Sequence, residues 1–251
     1  MNRWIHRIGL GCGTIIFIPL LAGCPDVESC DVRTSGLYAD FWVLADGSGD
    51  SDVRAQLRVG GRSSLTFLDL DDDPICTDEL LTSMNGGAPE RMVNVPSVGT
   101  ERYGRTFGMD AEGTAFSIAF ERGPNDVDAP LSEVTMARPF TILSPTANGP
   151  PVSRASDLTV EWDLPGTADT VTWEVSGSCL GNASSVAFSG DTGSEVISAG
   201  EITARTGEET TTCSATLELR RVRFGSVDPA YGEGGQFFAA HVRRVTFMST
   251  P

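Results

Sequence analysis

From Leu37 to the C-terminus, apolar and polar residues alternate in short runs broken by clusters of Gly, Asp, Asn and Pro. A period of two puts successive side chains on opposite faces of an extended chain, so the pattern predicts half-buried antiparallel strands; helical periodicity is nearly absent. The cleanest run sets Val53, Ala55, Leu57 and Val59 against Arg54, Gln56 and Arg58. Before it, Leu37, Ala39, Phe41 and Val43 alternate with Tyr38, Asp40 and Trp42, and the intervening Asp46-Gly47-Ser48-Gly49-Asp50-Ser51-Asp52 has the composition of a hairpin loop. Further strands are expected over 65–70, 91–95, 102–109, 114–122 and 134–137, with one helical turn over 78–84. Ala137-Arg138-Pro139, followed by Pro145, Pro150 and Pro151, marks a domain junction. Beyond it Leu158, Val160 and Trp162 share one parity, as do Val171, Trp173, Val175 and Cys179. The fold class expected is all-β: two antiparallel β-sandwich domains, over 32–138 and 139–251.

The N-terminus has a different character. Arg3, His6 and Arg7 precede an apolar stretch from Ile8 to Leu21, interrupted by Gly9, Gly11 and Gly13 and too short to span a bilayer comfortably. It reads as a signal peptide over 1–23, and Leu21-Ala22-Gly23-Cys24 resembles the lipobox of bacterial lipoproteins. That resemblance implies cleavage before Cys24, a diacylglyceryl thioether on its sulfur, acylation (palmitate or similar) of the new amino terminus, and a lipidated tether over 24–31. Several acyl chains on one residue anchor firmly, so the membrane is the first expected partner. In a proteobacterium, the same resemblance implies that Pro25, where Asp would retain a lipoprotein at the inner membrane, favours the outer membrane; the other location is the outer face of the cytoplasmic membrane. The alternative is an ordinary secretory signal cleaved near Ala22, with Cys24 a disulfide partner.

Leu158-Thr159-Val160-Glu161-Trp162-Asp163-Leu164-Pro165, followed by Thr172-Trp173-Glu174-Val175, resembles the second and third strands of fibronectin type III and other immunoglobulin-like domains. The resemblance departs where Cys213-Ser214-Ala215-Thr216-Leu217 lacks the corner tyrosine. If 170–179 and 213–220 are antiparallel neighbours, the end of one lies beside the start of the other, which brings Cys179 and Cys213 within disulfide reach. Of the 6 cysteines, Cys12 leaves with the leader and Cys24 carries lipid. That leaves Cys30 and Cys76 to pair and pin the tether to the first domain in an oxidising compartment.

Charge and absences narrow the chemistry. Acidic residues outnumber basic ones by 34 to 18, a net −16, which repels phosphate backbones and makes nucleic acid an unexpected partner. Every basic residue is Arg, so Lys nucleophiles are excluded, and once the leader is gone His241 is the one imidazole. P-loop, G-x-G-x-x-G, G-x-S-x-G and C-x-x-C motifs are missing, and paired-carboxylate hydrolysis is the enzymatic class that composition leaves open.

Asp46, Ser48, Asp50 and Asp52 have the every-other-residue spacing that can turn oxygens towards calcium; the competing reading is a solvated turn. Asp69, Asp71, Asp72 and Asp73 form a second acidic cluster. Trp42 and Tyr38, with Tyr103 and Tyr231, could stack on sugar rings from an outer sheet face, unless both faces of their strands are covered. Arg220, Arg221, Arg223, Arg243 and Arg244 are expected to pair with local carboxylates such as Glu218, and His241 to be structural. The functional expectation is a lipid-anchored, non-catalytic binding or structural module of the cell envelope. Its partner would be an envelope protein or polysaccharide, and calcium is its sole candidate cofactor. The alternative is a carboxylate-based hydrolase acting on envelope or extracellular polysaccharide.

Overall fold

A computed structural model describes residues 27–70, 77–95, 102–123, 126–181, 186–188 and 190–251. The first half contributes β1 (Val27–Glu28), β2 (Leu37–Ala45), β3 (Ser51–Val59), β4 (Leu68–Asp69), β5 (Glu79–Met84), β6 (Glu90–Arg91), β7 (Val93–Asn94), β8 (Tyr103–Phe107), β9 (Ala115–Glu121) and β10 (Ala129–Thr135). The second contributes β11 (Ile142–Ser144), β12 (Val152–Ser153), β13 (Leu158–Trp162), β14 (Thr170–Gly177), β15 (Val186–Ala187), β16 (Ser194–Ile197), β17 (Cys213–Phe224) and β18 (Gly235–Thr250). The protein is all-β; the helical segments among the described residues are short 3-10 turns at Ser29–Asp31 and Thr34–Gly36. The helical turn expected over 78–84 is instead β5, because Glu79 to Met84 pairs along its whole length with β9, Glu121 to Phe116. Cross-strand pairing overrides the weak local preference for a turn.

One nine-stranded sheet, ordered β15-β14-β17-β18-β2-β3-β8-β7 with β12 beside the end of β18, runs through both halves. Its spine is β18, 16 residues long. Residues 235–241 of β18 pair in parallel with 39–45 of β2, and 238–249 pair antiparallel with the whole of β17. Odd-numbered residues of β17 and β18 face inward. Over the β18-β2-β3-β8 part, the four-stranded sheet β10-β9-β5-β6 closes a core that includes Phe41, Val43, Phe116, Ile118, Phe120 and Phe237. Over the β14-β17-β18 part, the three-stranded sheet β11-β13-β16 closes a second core on Trp162, Trp173, Val160, Leu217 and Phe247. Phe188 stacks on both tryptophans, at 5.5 and 6.4 Å between centroids. Three strands against four, with Greek-key connections, is the arrangement of an immunoglobulin-like sandwich. The Cys179–Cys213 bridge forms as the register requires, with Cα atoms 5.9 Å apart.

Two cores therefore exist, but they share a layer that local pattern does not reveal. Tyr231, Phe237 and Ala239, from the C-terminal half, belong to the first core. The sharing follows from the length of β18, which continues past the second sandwich and offers its free edge to β2.

Between the cores the inner face of β17 and β18 turns polar, and the chain linking the halves crosses it there. Arg221 is fully buried; it donates to the carbonyls of Arg138, Pro139 and Asp163, each at 3.2 Å, and to Asp191 Oδ1 at 2.9 Å. Asp191 also accepts from Trp162 Nε1 at 2.7 Å and Thr167 Oγ1 at 2.5 Å. Burial alone would raise the Asp191 pKa, but the hydrogen bonds from Thr167 and Trp162 and the charge of Arg221 outweigh it and hold the carboxyl below its ordinary value. Arg243 donates to the Phe140 carbonyl at 2.8 Å and reaches the Ala45 carbonyl at 3.5 Å, tying β2 to the linker. His241, with no exposed surface, sits between these arginines. Burial first, and then Arg243 and Arg221, push its pKa down to about 4 against partial opposition from Asp110.

Two outcomes are expected. Asp191→Ala leaves Arg221 charged, buried and short of its carboxylate, and should cost about 3 to 5 kcal/mol in chemical denaturation, whereas a paired Asp191→Leu/Arg221→Met replacement should cost much less than the sum of the singles. His241 is neutral when folded but protonates near 6.5 when unfolded, so acid favours the unfolded chain. Stability should fall between pH 6.5 and about 4, by roughly 3 kcal/mol in all. His241→Leu should flatten that window; an unchanged slope would mean that other groups carry it.

Candidate functional site

Even-numbered residues of β17, β18 and β2 point away from both cores. The register sets Phe224, Phe238 and Trp42 side by side across three strands, continuing to Arg54 on β3 and Gly104 on β8. Adjacent side chains on one face interact across the ladder. Phe224 and Phe238 meet obliquely, with centroids 6.4 Å apart and planes at 61°. The Arg102 guanidinium lies 5.6 Å from the Trp42 ring centroid, a cation–π contact that half-covers the indole. Arg54 lies across Gly104, where a Cβ would fall 1.9 Å from a guanidinium nitrogen, and is fixed by Asp52 at 2.5 Å. The row is thus two phenyl rings and an indole, ending in two arginines. Phe224 keeps 63% of its surface exposed, unusual for so large an apolar side chain.

At the Phe224 end the chain leaves β17 and hugs the edge of β10. Glu133 and Ser226 exchange both backbone hydrogen bonds at 2.9 Å. The approach is close enough that a Cβ on Gly225 would lie 2.0 Å from the Glu133 carbonyl oxygen, so this position needs glycine. The result is a groove of about 410 Å³ on the outer face of the four-stranded sheet, with Phe224 on one wall and Glu133, Thr135, Ser117 and Ser83 around it. The Ser83 and Ser117 hydroxyls are hydrogen-bonded at 2.8 Å.

Of the aromatic residues singled out from sequence, Trp42 is on this surface. Tyr38 is not available for stacking: at 7% exposure both faces of β2 are covered at its position, where Arg58 is its cross-strand neighbour. Tyr103 is buried, and its hydroxyl accepts from the Leu70 N–H at 2.7 Å. Tyr231 packs edge-on to Phe41 in the first core, and burial together with the Asp228 charge raises its phenol well above the ordinary value. Phe224 and Phe238 escaped the sequence reading. Their parity was legible, but nothing local shows that they align with Trp42.

Asp46, Ser48, Asp50 and Asp52 line one surface pocket of about 240 Å³ together with Leu44, Ala45, Val242 and Arg244, and two of its carboxylates are engaged by protein donors. Asp46 Oδ1 accepts the Ser48 N–H at 2.9 Å, and hydrogen bonds from Ser48 lower its pKa. Asp52 is taken by Arg54 and by the Thr106 hydroxyl at 3.2 Å. The Arg243 guanidinium carbon would lie 3.0 Å from a Cβ on Gly47, which places a fixed cation against the loop. No group of three or more His, Cys, Asp or Glu residues among those described could hold a metal ion. The loop thus combines a self-capped turn with the convergence of the four residues that the spacing singled out. Cys30 is disulfide-bonded; Cys24, Cys76 and Asp71, Asp72 and Asp73 lie outside the described residues.

Arg220 and Arg244 pair with Glu218 as expected, each at 2.5 Å, while Arg223 turns inward and grips both oxygens of Asp169 at 2.7 and 3.0 Å. The aspartates whose pKa moves, Asp46, Asp126 and Asp191, all move down.

No protein-family model and no curated protein matches the sequence. Among solved structures the chain is similar to the FN1–FN3 domains of chicken CNTN1, at 10% identity over 90% of this chain and 68% of that one, with a TM-score of 0.27.

Thermal unfolding followed in millimolar calcium and in excess EDTA should give the same midpoint. A calcium-dependent rise abolished by Asp46→Asn would restore the loop as a metal site.

Proposed function

We propose that the protein is a non-catalytic binding module of the cell envelope, tethered by lipid on Cys24, which meets its partner with the outer face of the shared sheet. The observation that carries this reading is the Phe224–Phe238–Trp42 row, edged by Arg54 and Arg102. Aromatic and arginine side chains held on a rigid framework make interfaces at low entropic cost, because few rotors must be frozen. Two cores beneath one continuous ladder supply that rigidity. The Cys179–Cys213 bridge supports export to an oxidising compartment, and the lipobox-like Leu21-Ala22-Gly23-Cys24 supports lipid attachment. Among the described residues no helix is long and apolar enough to cross a membrane.

Two measurements on the full chain test this. Labelled palmitate should be incorporated into the protein and lost in Cys24→Ala; equal labelling of both would remove the anchor. Retention on isolated envelope material, sacculi and membrane proteins assayed separately, should weaken roughly tenfold or more in Phe238→Ala and Trp42→Ala. Retention unaffected by either substitution would rule out this face as the contact surface.

A further inference from the structure

We propose that the groove between Phe224 and Glu133 is a subsite for a neutral or amino-substituted pyranose ring, with Phe224 as the stacking platform and the Glu133 carboxylate as the acceptor for ring hydroxyls. This deepens the binding-module reading and rests on it.

The groove combines chemistries that few ligand classes need together. A pyranose presents one face of C–H groups, which lies well on the negative face of an aromatic ring, and a rim of hydroxyls that both donate and accept. Phe224 offers such a ring: Phe238 holds it at 61°, and 63% of its surface remains open. Glu133 is exposed on β10 and makes no ion pair or side-chain hydrogen bond among the described residues. Two carboxylate oxygens can take two neighbouring hydroxyls in charge-assisted bonds, which are stronger than neutral ones. Ser83 and Ser117 satisfy one another at 2.8 Å, and since one hydroxyl donates to the other, the second hydrogen of the pair is left to donate outward. Thr135 adds a further hydroxyl to the wall.

Size and charge restrict the ligand further. At about 410 Å³ the groove is at the lower end for ligand sites, which run from roughly 300 to 1,000 Å³, and suits one or two sugar rings. A free carboxylate in a chain of net charge −16 disfavours uronic, sialic, sulfated and phosphorylated saccharides and tolerates amino sugars. The site is also built rather than incidental. Gly225 lets the backbone lie against β10, and the paired Glu133–Ser226 hydrogen bonds fix the wall from which Phe224 projects.

The test is an array of immobilised neutral, amino and anionic saccharides probed with the intact lipidated protein in detergent, followed by calorimetric titration of the best-bound saccharide. Binding to neutral or amino spots is expected, weakened about tenfold or more in Glu133→Ala and in Phe224→Ala. Both residues are exposed, so unchanged unfolding midpoints should show that the variants fold, and Val196→Ala on the distant β16 should bind as the parent does. Preference for anionic spots, or binding indifferent to both groove substitutions, overturns the proposal. An empty array overturns it too. If retention on envelope material still depends on Trp42 and Phe238, the module reading survives with a protein partner; if both are lost, the failure lies in the broader reading.

Discussion

The hydrogen-bonded ladder between β2 and residues 235–241 of β18 is the constraint on which the rest of the molecule depends. Parallel pairing cannot be made by a tight turn; its partners must come from distant sequence, and here they come from opposite ends of the described chain. Once made, the ladder joins what would be two sheets into one, and a single facing direction follows for both cores. The two smaller sheets must then lie on the same side of it, and the opposite side is left to present Phe224, Phe238 and Trp42 in register.

Placing two small sheets side by side on one large one creates a gap between them, and arginine fills it. Arg221, Arg243 and Arg223 direct their planar forks at the carbonyls of the linker from Met136 to Phe140 and at Asp191 and Asp169. Five donors in a fixed plane can satisfy several carbonyls at once, which a lysine ammonium does less well. The desolvation of the buried Arg221 guanidinium is tolerated because both terminal nitrogens meet oxygens, although Nε has no hydrogen-bond partner among the described residues, and because its central carbon lies 5.0 Å from the Phe140 ring centroid. A second node of the same kind holds the N-terminal segment. Arg122, paired with Asp78 at 2.9 Å, donates to the carbonyls of Ser29 and Val32 and secures the segment that precedes β2. Arginine here acts mostly on loops and linkers that no ladder reaches.

The surface chemistry is a by-product of this economy. Carboxylates near the seam are consumed by arginines and backbone donors, and the acidic hairpin loop caps itself. What remains is a row of rings across the seam and, beside it, a groove that holds the Glu133 carboxylate, positioned by glycines at 104 and 225 that let a guanidinium and a strand approach more closely than any side chain would allow.

Period-two alternation was enough to establish that the chain is all-β, that most strands fall where they do, and that Trp162, Trp173, Cys179 and Cys213 belong to one sandwich; strand geometry couples burial directly to sequence parity. The fate of β5, the burial of Tyr38, the seam occupied by Arg221 and His241, and the alignment of Phe224 and Phe238 with Trp42 were not legible. Each depends on which strand becomes the neighbour of which, and a residue's parity says that it has a partner face without saying whose. For β2 that choice was made by the free edge of β18, nearly two hundred residues away, and only the folded chain brings the two together.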